Sequence, residues 1–155
     1  MFRRDRQARV SVSLRAEEAD LLRRLIGEYT ELLGSPDPAV GARLYPAASL
    51  DDPKIESTFR DLSQHDLERH KRAAAGAALE SLGDQGAWKS TLDDGQQEAW
   101  LVLLTDLRLV IGTRQGVTEE MMERIPNPRD PEEWPLAVLH YLGALQESLV
   151  EAVSE

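Results

Sequence analysis

Between Ala99 and Val117 the chain reads AWLVLLTDLRLVIGTRQGV, which places apolar side chains on almost every face of a helix. A helix with no face to give to water must run through the middle of a bundle. The rest of the chain then has to supply the helices that surround it. Asp94 and Gln97 have the spacing of a capping box at its start, and a helix from Asp94 to Gln115 would span roughly 33 Å.

The flanking segments fit that demand. Glu17, Glu18 and Asp20 place negative charge at the start of a first helix, Leu21, Leu22, Leu25, Ile26, Tyr29, Leu32 and Leu33 form its apolar stripe, and Gly34 ends it. Asp37-Pro38 opens a short helical turn that closes at Tyr45-Pro46. Asp52-Pro53 starts another helix with Ile55, Phe59 and Leu62 at helical spacing, and Ser63 with Asp66 reads as the cap of a separate, Ala-rich helix through Ala73 to Ala78. Small side chains there allow close approach, so this helix is expected against the central one. A last helix follows Asp130-Pro131 with Trp134, Val138, Tyr141, Leu145, Leu149 and Ala152 on one stripe.

Two segments have the period of strands instead. Val10, Val12 and Leu14 alternate with Arg9, Ser11, Ser13 and Arg15, and Trp88 to Leu92 forms a second short candidate. Together they predict a mainly α fold: a helical bundle around a buried central helix, with a small two-stranded β ribbon packed on it. No repeat, low-complexity block or linker divides the sequence. Residues 1–7 therefore read as a flexible basic N-terminus and 8–155 as a single helical domain.

Charge limits the partners. Residues 1–15 carry five arginines against one aspartate, whereas 118–155 carry nine acids against two arginines, and the formal net charge is −10. Such a body repels polyphosphate and anionic lipid, which argues against nucleic acid and membrane surfaces. Cysteine is absent, which removes disulfides, thiol catalysis and thiolate metal sites. No apolar block has the length of a signal peptide or a membrane span, so a cytoplasmic location is expected.

Few residues suggest chemistry. Asp106 is flanked at helical spacing by Val102, Leu103, Leu109 and Val110, so its carboxylate faces the core. It serves either as a structural ion pair with an arginine from another helix, Arg24 or Arg72 by preference, or as a perturbed acid or base. Arg108 and Arg114 are read with it as buried polar groups, Arg108 on the narrow polar side near Thr105 and Gly112. His65, His70 and His140 have no metal-ligand spacing, and no catalytic residue, cofactor or metal site is identified. Ile111 to Ile125 imitates a helix-turn-helix with its turn at Gly116, but Glu119, Glu120 and Glu123 would face phosphate and Pro126 cuts the second helix short. The same acidic segment offers Val117, Met121, Met122, Ile125 and Trp134 as an apolar patch for a protein partner or a second copy of the chain.

DLRLVIGTRQGVTEE at 106–120, DPAVGARLYP at 37–46, DDPKIESTFRDL at 51–62 and YLGALQESLV at 141–150 resemble an actinobacterial domain-of-unknown-function family, the one numbered two thousand and seventeen, from Ala8 to Val153. The resemblance implies a small cytoplasmic protein without an assigned activity, whose gene often neighbours that of the adaptor feeding the Clp protease. It thereby implies a role in proteolysis or in transcription or stress regulation, and it supplies no catalytic residues. The expected function is a non-enzymatic interaction or regulatory module. The alternatives are an enzyme built around Asp106 and nucleic-acid binding through the Gly116 turn or the Arg-rich N-terminus.

Overall fold

The computed structural model describes residues 1–34, 38–45 and 53–154, and the side chains of all of these except 53–63. In order, the elements are β1 (Phe2–Arg4), β2 (Val10–Leu14), α1 (Ala16–Gly34), α2 (Pro38–Leu44), α3 (Pro53–Leu82), β3 (Trp88–Leu92), α4 (Asp94–Arg114), α5 (Glu119–Met122), a 3-10 turn (Pro131–Glu133) and α6 (Trp134–Ser154). The mainly α fold is as expected.

The central position of α4 follows from its lack of a polar face. It packs against α1, α2, α3 and α6, and buries Trp100, Leu103, Leu104, Leu107 and Val110 together with Asp106. Its capping box lies one residue earlier than the spacing of Asp94 and Gln97 predicts. The Asp93 side chain accepts from the Gln96 backbone N–H at 2.8 Å, and the Gln96 amide oxygen accepts from the Asp93 N–H at 2.9 Å. Gly116, with φ at +63°, turns the chain out of the helix.

Two expectations are corrected. The Ala-rich segment is not a separate helix: Pro53 to Leu82 is one helix of 30 residues, within which Asp66 pairs with Arg69. Ala75 and Ala78 of α3 are buried, and the helix does pack on α4. The expected stripe of Ile55, Phe59 and Leu62 lies outside the described side chains, and Asp37 and Asp52 outside the described residues.

The second correction concerns the sheet, which has three antiparallel strands in the order β1-β2-β3. The extra strand comes from the basic N-terminus, where Phe2 pairs with Val12 and Arg4 with Val10. β2 pairs with β3 so that Val12 faces Ser90 and Leu14 faces Trp88. Three interactions hold β1 in place. Phe2 packs edge-on against Trp88 at 6.0 Å and lies 6.1 Å from Trp100; the Phe2 N–H donates to Ser148 Oγ; and the Arg4 guanidinium donates to the Ala152 and Val153 carbonyls at the end of α6. A continuous buried cluster runs from these rings through α1, α4 and α6.

Candidate functional site

Among the described residues Asp106 is the one buried acid, and it acquires its partners from two neighbouring helices. α1 contributes Tyr29, whose ring lies on the buried stripe of Ala19, Leu22, Ile26 and Leu33. α3 contributes Lys71, one helical turn before Ala75 on the face that continues through Ala78 and Leu82. Lys71 Nζ donates to Asp106 Oδ2 at 2.6 Å and the Tyr29 hydroxyl donates to the same oxygen at 2.5 Å. Asp106 is only 4% exposed. Burial first, and the adjacent Asp106 second, push the Tyr29 phenol far above its usual range, so it stays a donor.

The expected ion pair is therefore present, with a different cation. Arg24 is exposed, and Arg72 pairs with Glu68 at 3.0 Å on the surface. A lysine fits where an arginine would not, because a single ammonium can share one carboxylate oxygen with a phenol without the space of a planar fork. The spacing of residues 71, 75, 78 and 82 is the signal that places Lys71 on the buried face of α3. The other two residues read as buried polar groups differ from Asp106. Arg108 is half-buried and donates to Gln146 Oε1 at 2.7 Å, while Gln146 Nε2 donates to Thr105 Oγ1 at 2.6 Å. Arg114 is exposed.

Directly above Tyr29 lies a cleft of about 330 Å³ between α1, the end of α4 and the start of α6. Leu25, Leu32, Val110, Ile111, Trp134 and Val138 form most of its apolar lining, with Arg114 and Glu28 at its edge. Tyr29 thus belongs to both features: it lines the cleft and its hydroxyl reaches Asp106. Neither Asp106 nor Lys71 lines the cleft.

Of the five residues expected to form one apolar patch, Trp134 and Met122 line different grooves. Trp134 is 58% exposed and lines the cleft, whereas Met122 is half-buried in a separate groove beside Leu139, His140 and Gly143. Val117 and Met121 are half-buried, and Ile125 is 93% exposed. The segment around Ile125 is tied to Glu133, whose carboxylate accepts from Arg124 Nη1 at 2.9 Å and from the Asn127 backbone N–H. These bonds hold the Glu133 carboxyl below its ordinary range, the Asn127 N–H contributing most. The loop carrying Ile125 is thereby tied to the residue preceding Trp134.

The features that would serve nucleic acid are weak. α5 has four residues and is capped by the Thr118 side chain, which accepts from the Met121 N–H, so the helix that follows the Gly116 turn is too short to read a groove. At the N-terminus, Arg4 is committed to α6 carbonyls and Arg9 pairs with Asp5 at 3.0 Å. Among the described residues there is no group of three or more His, Asp or Glu side chains that could hold a metal ion, and no helix is long and apolar enough to cross a membrane.

The profile of the family described as "Domain of unknown function (DUF2017)" matches residues 1–153. The chain belongs to that family. It is also similar to a Mycobacterium leprae (strain TN) protein named as a candidate oxidative stress regulator, AosR, with 29% identity over 136 residues. That match covers 88% of this chain and 59% of the relative's own length. No solved structure matches the chain.

Proposed function

We propose that this DUF2017 chain is a non-enzymatic regulatory module that docks a protein partner at the Trp134 cleft. The observation that carries the proposal is the indole of Trp134, left 58% exposed while lining an apolar cleft. A large aromatic at the rim of a preformed apolar depression is the usual anchor of a protein interface. The relative's name supports a regulatory role. Because this chain contains no cysteine, any response to oxidants involves no thiol switch within it.

The rival reading, an enzyme at Asp106, is opposed by access. The carboxylate is buried, one oxygen accepts from both Lys71 and Tyr29, and neither Asp106 nor Lys71 lines the cleft. Such an arrangement stabilises a fold more readily than it turns over a substrate.

A photo-crosslinking residue placed at position 134 or 125, and at position 89 as a distant control, tests the docking site in the native host. The proposal expects a discrete crosslinked partner at 134 and 125, none at 89, and loss of co-purification in Trp134→Ala. A folded Trp134→Ala protein that retains its partner would refute it.

A further inference from the structure

We infer that Met121 and Met122 form a sulfoxidation site, at which a peroxide-class oxidant converts the two thioethers to sulfoxides and releases α5 from α6. α5 is four residues long, too short to keep helical form by its own hydrogen bonds, and none of its side chains is buried. Glu119 and Glu120 are exposed, so the half-buried Met121 and Met122 supply the whole apolar contribution of α5 to its packing on α6. The surface they meet is a small apolar cluster of its own. Leu136 and Leu139 of α6 are buried, yet neither belongs to the continuous cluster that runs through α1, α4 and α6. Leu139 lines one groove with Met122, His140 and Gly143, and that groove shares no residue with the Trp134 cleft. The segment carrying α5 is anchored on both sides, by the Gly116 turn before it and by the bonds from Arg124 and Asn127 to Glu133 after it. Residues 117–123 lie between these anchors.

Half-buried thioethers are within reach of a small oxidant, and the chain has no cysteine to compete for it. The sulfur of either methionine attacks one oxygen of hydrogen peroxide. The S–O bond forms as the O–O bond breaks, and the departing hydroxide takes the proton of the S–OH group and leaves as water. Sulfur gives up two electrons and the peroxide takes them. The product is polar where the thioether was apolar, so the packing that holds α5 against Leu139 is lost. Thr118 still accepts from the Met121 N–H, but a cap alone does not sustain a single helical turn. Oxidation thereby uncovers the apolar Leu139 face of α6, which is hidden in the reduced protein, and reduction of the sulfoxides covers it again.

Four amides report the state of α5. The Met121 and Met122 N–H groups donate to the side chain and the carbonyl of Thr118, and those of Glu123 and Arg124 donate to the carbonyls of Glu120 and Met121. The full chain is treated with hydrogen peroxide, the oxidised residues are located by peptide mass spectrometry, and hydrogen exchange at the four amides is followed by NMR. Met1, exposed and outside every helix and strand, is the internal reference for oxidant reactivity. Met121 and Met122 should each gain one oxygen under conditions that oxidise Met1. The four amides should then exchange at least about tenfold faster than in the reduced protein, while those of Leu142 and Leu145 in the core stay as they were. Methionine sulfoxide reductases acting on both epimers should reverse the change. Met121→Leu/Met122→Leu, which keeps the apolar bulk, should show the exchange of the reduced protein before and after peroxide. Met121→Gln/Met122→Gln should exchange as the oxidised protein does with no oxidant present. Oxidation of Met1 that leaves Met121 and Met122 reduced would overturn the inference, as would oxidation of both without faster exchange. So would an equal response to peroxide in the leucine variant, or unprotected exchange at the four amides in the reduced protein, since α5 would then not be held by its methionines.

Discussion

Replacing Asp106 with alanine should destabilise the protein by about 3–5 kcal/mol, because it leaves the Lys71 ammonium buried without a counter-charge. The magnitude follows from the enclosure of the pair: the side chains of Lys71 and Asp106 are 11% and 6% exposed, and their polar atoms lie 2.6 Å apart. Tyr29 adds to the loss, since its hydroxyl would also surrender a charge-assisted acceptor, and Tyr29→Phe alone should cost about 1–3 kcal/mol. In urea, with a slope of about 2 kcal/mol per molar, Asp106→Ala should move the midpoint down by about 1.5–2.5 M. The decisive comparison is Asp106→Leu combined with Lys71→Met. Removing both charges relieves the stranded lysine, so the double variant should recover most of the stability lost in the single one. A midpoint shift below about 0.5 M for Asp106→Ala, or a double variant no more stable than Asp106→Ala, would refute the view that a desolvated ion pair joins α3 and α4.

Phe2→Ala should cost about 3–5 kcal/mol and reduce the near-ultraviolet circular dichroism of the Trp88 and Trp100 pair, whose rings lie 4.8 Å apart, because β1 carries the third ring of that cluster. Gly116→Ala should lower stability by about 1–2 kcal/mol in a thermal melt, through its φ of +63° alone, since nothing lies within 4 Å of the added methyl. All three tyrosines hold their protons above the ordinary value of 10.0, chiefly by burial, with Asp106 acting also on Tyr29, Glu68 on Tyr45 and Glu18 on Tyr141. A folded pKa above the unfolded one contributes stability that is complete below pH 10 and lost as pH rises further. Phenolate absorbance should therefore appear together with alkaline unfolding, and stepwise appearance in a still-folded protein would contradict the burial.

Much of the fold was legible because its signals are local. A helix apolar on every side can only be central, and strict alternation from Val10 to Leu14 can only be a half-buried strand. β1 was illegible for the opposite reason. Phe-Arg-Arg has no period to read, and its order comes from contacts distant in sequence: Arg4 with the carbonyls of Ala152 and Val153 near the other end of the chain, and Phe2 with two tryptophans. Asp93 with Gln96 and Asp94 with Gln97 share one spacing, so the pattern alone does not choose between them. The break expected at Ser63 rested on a capping pattern, but an uninterrupted helix satisfies the same backbone groups and Asp66 turns instead to Arg69.

The site was legible in part for a related reason. The spacing around Asp106 demanded a buried cation, yet the identity of that cation depended on how α3 rotates against α4. The patch reading takes residues near in sequence to share a surface, whereas Met122 and Trp134 line different grooves. The cleft at Trp134 draws its lining from three helices distant in sequence, Tyr29 among them. The hydroxyl of that tyrosine is fixed by Asp106, so its ring cannot swing to widen or fill the depression without breaking a buried charge-assisted hydrogen bond. The Asp106 network thus bears on the proposed docking surface from beneath it. If an apolar anchor docks there, the carboxylate acts through Tyr29, whose ring it holds in place.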